Sequence, residues 1–349
     1  MVTVFLNGRF VDGPAQVSAF DAGFQHGVGL FETFLGGCAR PDSAGDDPAS
    51  RGAWAVHLDE HLDRLHESAR ALSLASVLHT GPLGEAALRT IARSGLAHAR
   101  VRLTVTGGDL NLLNRPLPGG GGSGGAGSGG AGSGGAGSGA AGQDPTVLIV
   151  AQPATRYPAA MIASGVSATI AGTRVSPLDE SQGHKTLNYW WRLRALQQAA
   201  AEGAGEALVF SAGNHLVGGC VSSAAIIKGD TISLPIARGE EREVADEATR
   251  QEGGRPGGAV LPSPVLPGIT RAWLMRTAEG LGLRVRRKMI GFAEIQQADE
   301  LVLTNSSWGV LAVTRLPGCA IGTGERGPIA AQLAQAWEQE LTLAAAAGA

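Results

Sequence analysis

The sequence predicts an α+β fold in two domains. Period-two and period-three-to-four apolar spacing occur in separate stretches, with no strict strand–helix–strand alternation. A Gly/Ser/Ala tract splits the chain into halves of different character, and 349 residues give each half enough length for its own core. The expected division is residues 1–117 as an N-terminal α+β domain, 118–143 as a linker, and 144–349 as a C-terminal domain.

The opening segment MVTVFLNGRFVDG alternates apolar and polar residues around Asn7-Gly8, the signature of a β-hairpin and not of a signal peptide. Helices are expected at His57–Leu74 and Leu83–Ser94. In the first, Leu58, Leu62, Leu65, Ala69 and Leu72 make one apolar stripe. In the strand Arg100–Thr106, Val101, Leu103 and Val105 alternate with Arg100, Arg102 and Thr104, which predicts one buried face. Gly119–Gly142 has almost no side chains with which to bury surface, so a flexible surface linker is expected. A Gly-rich phosphate loop is set aside because neither a strand nor a helix flanks the tract.

Beyond it, strands are expected at Thr146–Ala151, Val166–Ala171, Ala207–Phe210, Ala224–Lys228, Thr231–Leu234 and Glu300–Thr304. Helices are expected at Tyr189–Glu202, Arg271–Leu281 and Ile329–Leu343, the first two stopped by Gly203 and Gly282. The charged, then Gly-rich stretch Arg238–Gly258 reads as an irregular surface excursion.

Hydrophobic residues are 44% and charged residues 17%, a globular composition. A net charge of −3 without a basic patch argues against nucleic acid or an acidic membrane as partner. No apolar run reaches the ~18 residues of a membrane span. Cys38, Cys220 and Cys319 are odd in number and widely spaced, which fits a reducing compartment and predicts a cytoplasmic protein.

Lys185 stands out by its company: His184 before it, and Tyr189, Trp190 and Trp191 after it. Partial burial among such groups turns an amine into a nucleophile, whereas a solvated surface charge is the other reading. His57-Leu-Asp-Glu60-His61 fits the H-x-x-E-H zinc pattern. That pattern arises cheaply in a charged amphipathic helix, and no metal is expected.

KTLNY around Lys185 resembles the lysine motif of the class IV aminotransferases, the group of branched-chain and D-amino-acid aminotransferases and 4-amino-4-deoxychorismate lyases. FLNGRFV, SAFDAGFQHGVGLFETF, HLDRLHESARAL, RVRLTVTGG, GEALVF, LPGITR and ADELVLTNSSWGV resemble further family segments, in the family's order. The tract then falls where the family's two domains join. The resemblance implies a two-domain fold-type IV pyridoxal-phosphate enzyme, D-amino-acid aminotransferase-like, whose second domain binds the cofactor. A homodimer acting on a small amino-acid-like substrate is implied with it.

The same resemblance makes Lys185 the residue that holds pyridoxal 5'-phosphate covalently and then shuttles the substrate's α-proton. Arg64, Ile269, Thr270, Asn305 and Ser306 would hold the phosphate, with help from Gly219 and Ser222. For Arg64 the other reading is a solvated helix charge pairing with Glu60. Tyr189 would lie near the cofactor ring and Phe31 would wall the substrate pocket, or both are ordinary core.

One departure is large. The family's E-G-[ST]-x-S-N-[IL]-F segment reads GGCVSSAAI here, with Gly218 at the glutamate, Ser223 at the asparagine and Ala225 at the aromatic position. In the family that glutamate faces the pyridine nitrogen and keeps it protonated. Val28 stands where the family usually has Asp, a smaller change. LTNSSWGV resembles the lyase segment better than the transaminase one, and aromatisation of p-aminobenzoate tolerates a weaker electron sink. Formation of p-aminobenzoate and pyruvate is therefore the expected reaction. A branched-chain or D-amino-acid transaminase is the first alternative, and a degenerate homologue without turnover the second.

Overall fold

The Asn-Gly signal at the N-terminus forms the turn it predicts. In the computed structural model, β1 (Thr3–Leu6) and β2 (Arg9–Val11) pair antiparallel through Asn7 and Gly8, at φ 46° and 87°. The structure describes residues 2–40, 52–75, 77–109, 145–251 and 257–348. The expected linker at 118–143 therefore lies outside the described residues.

The first half continues with α1 (Ala22–His26), β3 (Gly29–Cys38), β4 (Ala53–Ala55), α2 (Leu58–Ala71), α3 (Thr80–Ser94), β5 (Ala99–Thr106) and β6 (Val147–Pro153). Its six strands form one antiparallel sheet in the order β2-β1-β6-β5-β3-β4. Leu62, Leu65 and Ala69 of α2 and Ala87 and Ile91 of α3 pack on Phe34, Val101, Leu103 and Ile149 of the sheet. The apolar stripe read from the sequence is thus the buried stripe.

The sequence boundary at 144 would put Val147–Pro153 in the second half, but its pairing with β1 and β5 puts it inside the first sheet. The tract consequently joins two neighbouring antiparallel strands, Val105 pairing with Val147, and does not mark the junction between halves. Antiparallel neighbours can be joined by a connection of any length without crossing the sheet, so an insertion is tolerated there.

The second half contains α4 (Ala159–Ser164), β7 (Val166–Val175), α5 (Trp190–Ala201), β8 (Glu206–Ser211), β9 (Leu216–Gly219), β10 (Ser223–Lys228), β11 (Thr231–Pro235), α6 (Glu241–Gln251), α7 (Ile269–Gly280), β12 (Arg284–Lys288), α8 (Phe292–Gln296), β13 (Glu300–Asn305), β14 (Gly309–Leu316), β15 (Cys319–Ala320) and α9 (Pro328–Ala347). Its strands run β12-β11-β10-β13-β14-β7-β8-β9, with β15 on β14. The pairs β11–β12, β14–β7 and β7–β8 are parallel and the others antiparallel.

Both faces of this sheet are covered. In β13, Val302 enters the core beneath α7 and α9, while Leu301 and Leu303 enter the opposite core. Trp54 and Val56 of the first half join the α7–α9 core with Trp273 and Trp337, tying the halves together. The excursion expected to be irregular contains the helix α6, none of whose residues is buried. Among the described residues no helix is long and apolar enough to cross a membrane.

Candidate active site

Strand period two sets the first wall of the site. On β3, Phe31 and Thr33 face a cavity of about 340 Å³, while Glu32 and Phe34 point towards α2 and the core. Neighbouring β5 sends Arg100 and Arg102 into the same cavity. The sequence pattern implied a solvated face for these arginines. Instead the Arg102 guanidinium stacks 3.7 Å from the Phe31 ring centroid, and burial beside Arg100 pulls it down to about 10.

Helix α2 carries a second stripe beside its apolar one. His61, Arg64 and Ser68 recur at three- and four-residue steps, and all are buried. Arg64 makes a two-pronged pair with Glu32, Nε to Oε1 at 2.9 Å and Nη2 to Oε2 at 2.6 Å, and donates Nη1–H to the Pro267 carbonyl at 2.9 Å. His61 Nδ1 lies 2.6 Å from Glu32 Oε2. Burial alone would raise the Glu32 carboxyl, but Arg64 and His61 outweigh it and hold it at about 2. Arg64 is therefore not a solvated helix charge.

His61 is also engaged by its other nitrogen, 3.3 Å from Ser306 Oγ. His57 sits before the helix at φ 52° and faces Glu60 and Glu340. The two imidazoles are thus committed to different partners. Among the described residues no His/Cys/Asp/Glu group is arranged to hold a metal.

Lys185 is half-buried, and its segment is stitched to β3. Phe31 N–H donates to the Lys185 carbonyl and Leu187 N–H to the Gly29 carbonyl, each at 2.9 Å. His184 Nδ1 lies 2.9 Å from Ser68 Oγ on α2, and burial followed by the Arg238 charge depresses its imidazole to about 4. The Lys185 Nζ stands 4.6 Å from the Phe31 ring centroid and 5.7 Å from that of Tyr189, two rings in edge contact at 5.1 Å. Burial would raise the Tyr189 phenol, but Lys185 and Arg192 outweigh it and hold it below the ordinary range.

The far elements close the cavity. Gly268 caps α7, so the Ile269 and Thr270 amides begin that helix. Thr270 Oγ1 lies 3.4 Å from Ser306 Oγ. Asn305 accepts from the Ser307 and Trp308 amides and donates to the Val221 carbonyl, fixing the turn that presents Ser306. Ser222 donates its hydroxyl proton to Glu206, whose carboxylate also accepts from the Ala207, Cys220 and Val221 amides. Burial lifts that carboxyl above its usual range.

Phe31, Arg64, Lys185, Tyr189, Gly219, Ser222, Ile269, Thr270, Asn305 and Ser306 all line this cavity. Sequence reasoning missed Glu32, Arg100, Arg102 and Arg192; two arginines two apart on an inner strand were the available signal. Among the described residues, several buried polar atoms of the lining have no partner, namely Thr33 Oγ1, Arg271 Nε, Thr304 Oγ1 and Trp308 Nε1. Each costs about 1–3 kcal/mol unless something polar meets it. With a half-buried amine, a helix N-terminus and an arginine with donors to spare, the residues fit a phosphate-bearing aldehyde.

Known proteins share this architecture. The chain is 25% identical over 332 residues to a putative branched-chain-amino-acid aminotransferase of Methanocaldococcus jannaschii, covering 95% of this chain and 93% of that one. The branched-chain amino acid aminotransferase of Escherichia coli superposes with TM-score 0.74 at 21% identity, covering 97% of this chain and 93% of that one. The 4-amino-4-deoxychorismate lyase of Pseudomonas aeruginosa gives TM-score 0.68 at 23% identity, covering 97% and 99%. The family model for amino-transferase class IV matches residues 29–316, and so this chain belongs to the class IV aminotransferases.

Proposed function

We propose that the protein binds pyridoxal 5'-phosphate at Lys185 and acts as a lyase on 4-amino-4-deoxychorismate, releasing p-aminobenzoate and pyruvate. The observation that carries the reading is the Lys185 amine, held in the cavity wall against Phe31 and Tyr189 and sharing the cavity with Arg64 and the α7 N-terminus. The structural likeness to a lyase of that name supports the substrate.

When bound, the cofactor supplies an aldehyde for the substrate amine and a ring that withdraws electrons. Arg64, the Ile269 and Thr270 amides and the Thr270 and Ser306 hydroxyls would hold its phosphate. Lys185 would take the proton from the carbon bearing the substrate's amine. The Phe31 and Tyr189 rings keep water from the amine. Arg100 and Arg102 meet the substrate's two carboxylates. Loss of the proton and departure of the ether oxygen leave an aromatic ring, and the departing enol gains a proton to become pyruvate.

A transaminase is the second reading, because the Arg100–Arg102 pair would equally receive a dicarboxylic amino acid. We further propose a homodimer, on the exposed Phe24, Trp190 and Leu193, the last of which lines the cavity, and a cytoplasmic location, on the sparse cysteines.

The test is direct. Protein incubated with pyridoxal phosphate is expected to turn yellow, and borohydride reduction to lock the cofactor mass onto Lys185. Lys185→Ala is expected to abolish both. With aminodeoxychorismate, p-aminobenzoate and pyruvate should appear in equal amounts. Ready transamination of common amino acids without p-aminobenzoate would move the assignment to the second reading, and a colourless wild-type protein would end it.

A further inference from the structure

The cavity wall that the family resemblance sets against the cofactor's ring nitrogen is built here without an acid. Gly218 sits at φ 155°, and a Cβ there would lie 2.7 Å from the Ser222 carbonyl oxygen, so this backbone disfavours any side chain. The nearby carboxylate, Glu206, is turned behind the loop, its oxygens occupied by three backbone amides and the Ser222 hydroxyl. It is fully buried and does not line the cavity. Among the described residues, no Asp or Glu lines the cavity.

A cation stands at this wall. Arg192 lines the cavity and donates Nη1–H to the Cys220 carbonyl at 3.1 Å, with the Gly219 carbonyl at 3.4 Å. Its guanidinium is 4.5 Å from the Trp191 ring centroid and 5.6 Å from that of Tyr189. No carboxylate pairs with it among the described residues. Arg64, Arg100, Arg102, Lys185 and Arg271 give the remaining charged lining the same sign. A positive charge beside a pyridine disfavours its protonated form, the reverse of what a carboxylate does.

We infer that the ring nitrogen of the bound cofactor faces Arg192 and stays unprotonated. The ring then draws electrons weakly, and the site suits a substrate whose product gains its own driving force, such as aromatisation. A reaction that must store a carbanion on the ring is disfavoured. This rests on the cofactor assignment above and explains why a lyase, more than a transaminase, fits the eroded segment.

The test reads the cofactor itself in the holoenzyme. With ring-nitrogen-labelled pyridoxal phosphate, the 15N resonance is expected at the neutral-pyridine position throughout the neutral pH range. In Arg192→Gln it should begin to titrate there, by an upward shift of about one pKa unit or more, and Arg192→Lys should restore the wild-type position. A pyridinium resonance in the wild type, or no change in Arg192→Gln, overturns the inference while leaving the cofactor assignment standing. Failure of the natural cofactor to bind removes both.

Discussion

At the scale of single residues, the site depends on charges buried in compensating pairs. Glu32 answers both Arg64 and His61, so Glu32→Gln leaves a guanidinium uncompensated in the interior. The expected cost is about 3–5 kcal/mol in urea unfolding. Because the folded carboxyl is depressed from 4.5 to about 2, its contribution is complete above about pH 4.5 and is lost as pH falls towards 2. Arg102 is different, since no carboxylate pairs with it among the described residues. Arg102→Met is expected to raise KM for a carboxylate substrate about 10–100-fold, with reducible cofactor still on Lys185. The place of Lys185 in the cavity was legible from its motif, and that of Arg64 from the helix motif. Arg102 was not, because an alternating strand gives the same pattern whether its polar face meets water or a ligand cavity.

At the scale of elements, the tract is the feature whose place in the chain says most. About 40 residues connect the paired Val105 and Val147. Removing Gly119–Gly142 more than halves that connection, which by loop-closure entropy should stabilise the protein by about 0.8 kcal/mol. Thermal unfolding of the shortened chain checks it, and cofactor attachment should be unchanged. The elements with a clean period, α2, α3 and β5, were legible to within a few residues. β3 was not, because eight of its ten residues are buried and both faces are covered, which erases the alternation. α6 was missed for the opposite reason, since a helix with no buried residue needs no apolar stripe.

At the scale of the whole molecule, the contacts that join the two halves include the Lys185–Leu187 ladder on β3, His184 on Ser68, His61 on Ser306, His57 on Glu340, Arg64 on Pro267, and Trp54 in the α7–α9 core. His184 gives this junction a pH dependence. Its imidazole is held neutral, depressed from 6.5 to about 4, so the stability it contributes is complete above about pH 6.5 and lost as pH falls towards 4. Urea unfolding across that window should show the slope, and His184→Asn should flatten it. The sequence predicted two halves from a change in composition, yet the composition change marks an insertion inside one sheet. Only strand pairing, which joins residues far apart in the chain, could show this.

β6 lies between β1 and β5, hydrogen-bonded on both sides. A chain severed inside the tract would therefore yield two fragments that remain interlocked, the later one threading its first strand through the middle of the earlier one's sheet. The covalent continuity of the tract and the cohesion of the protein are separate matters, and the second does not need the first.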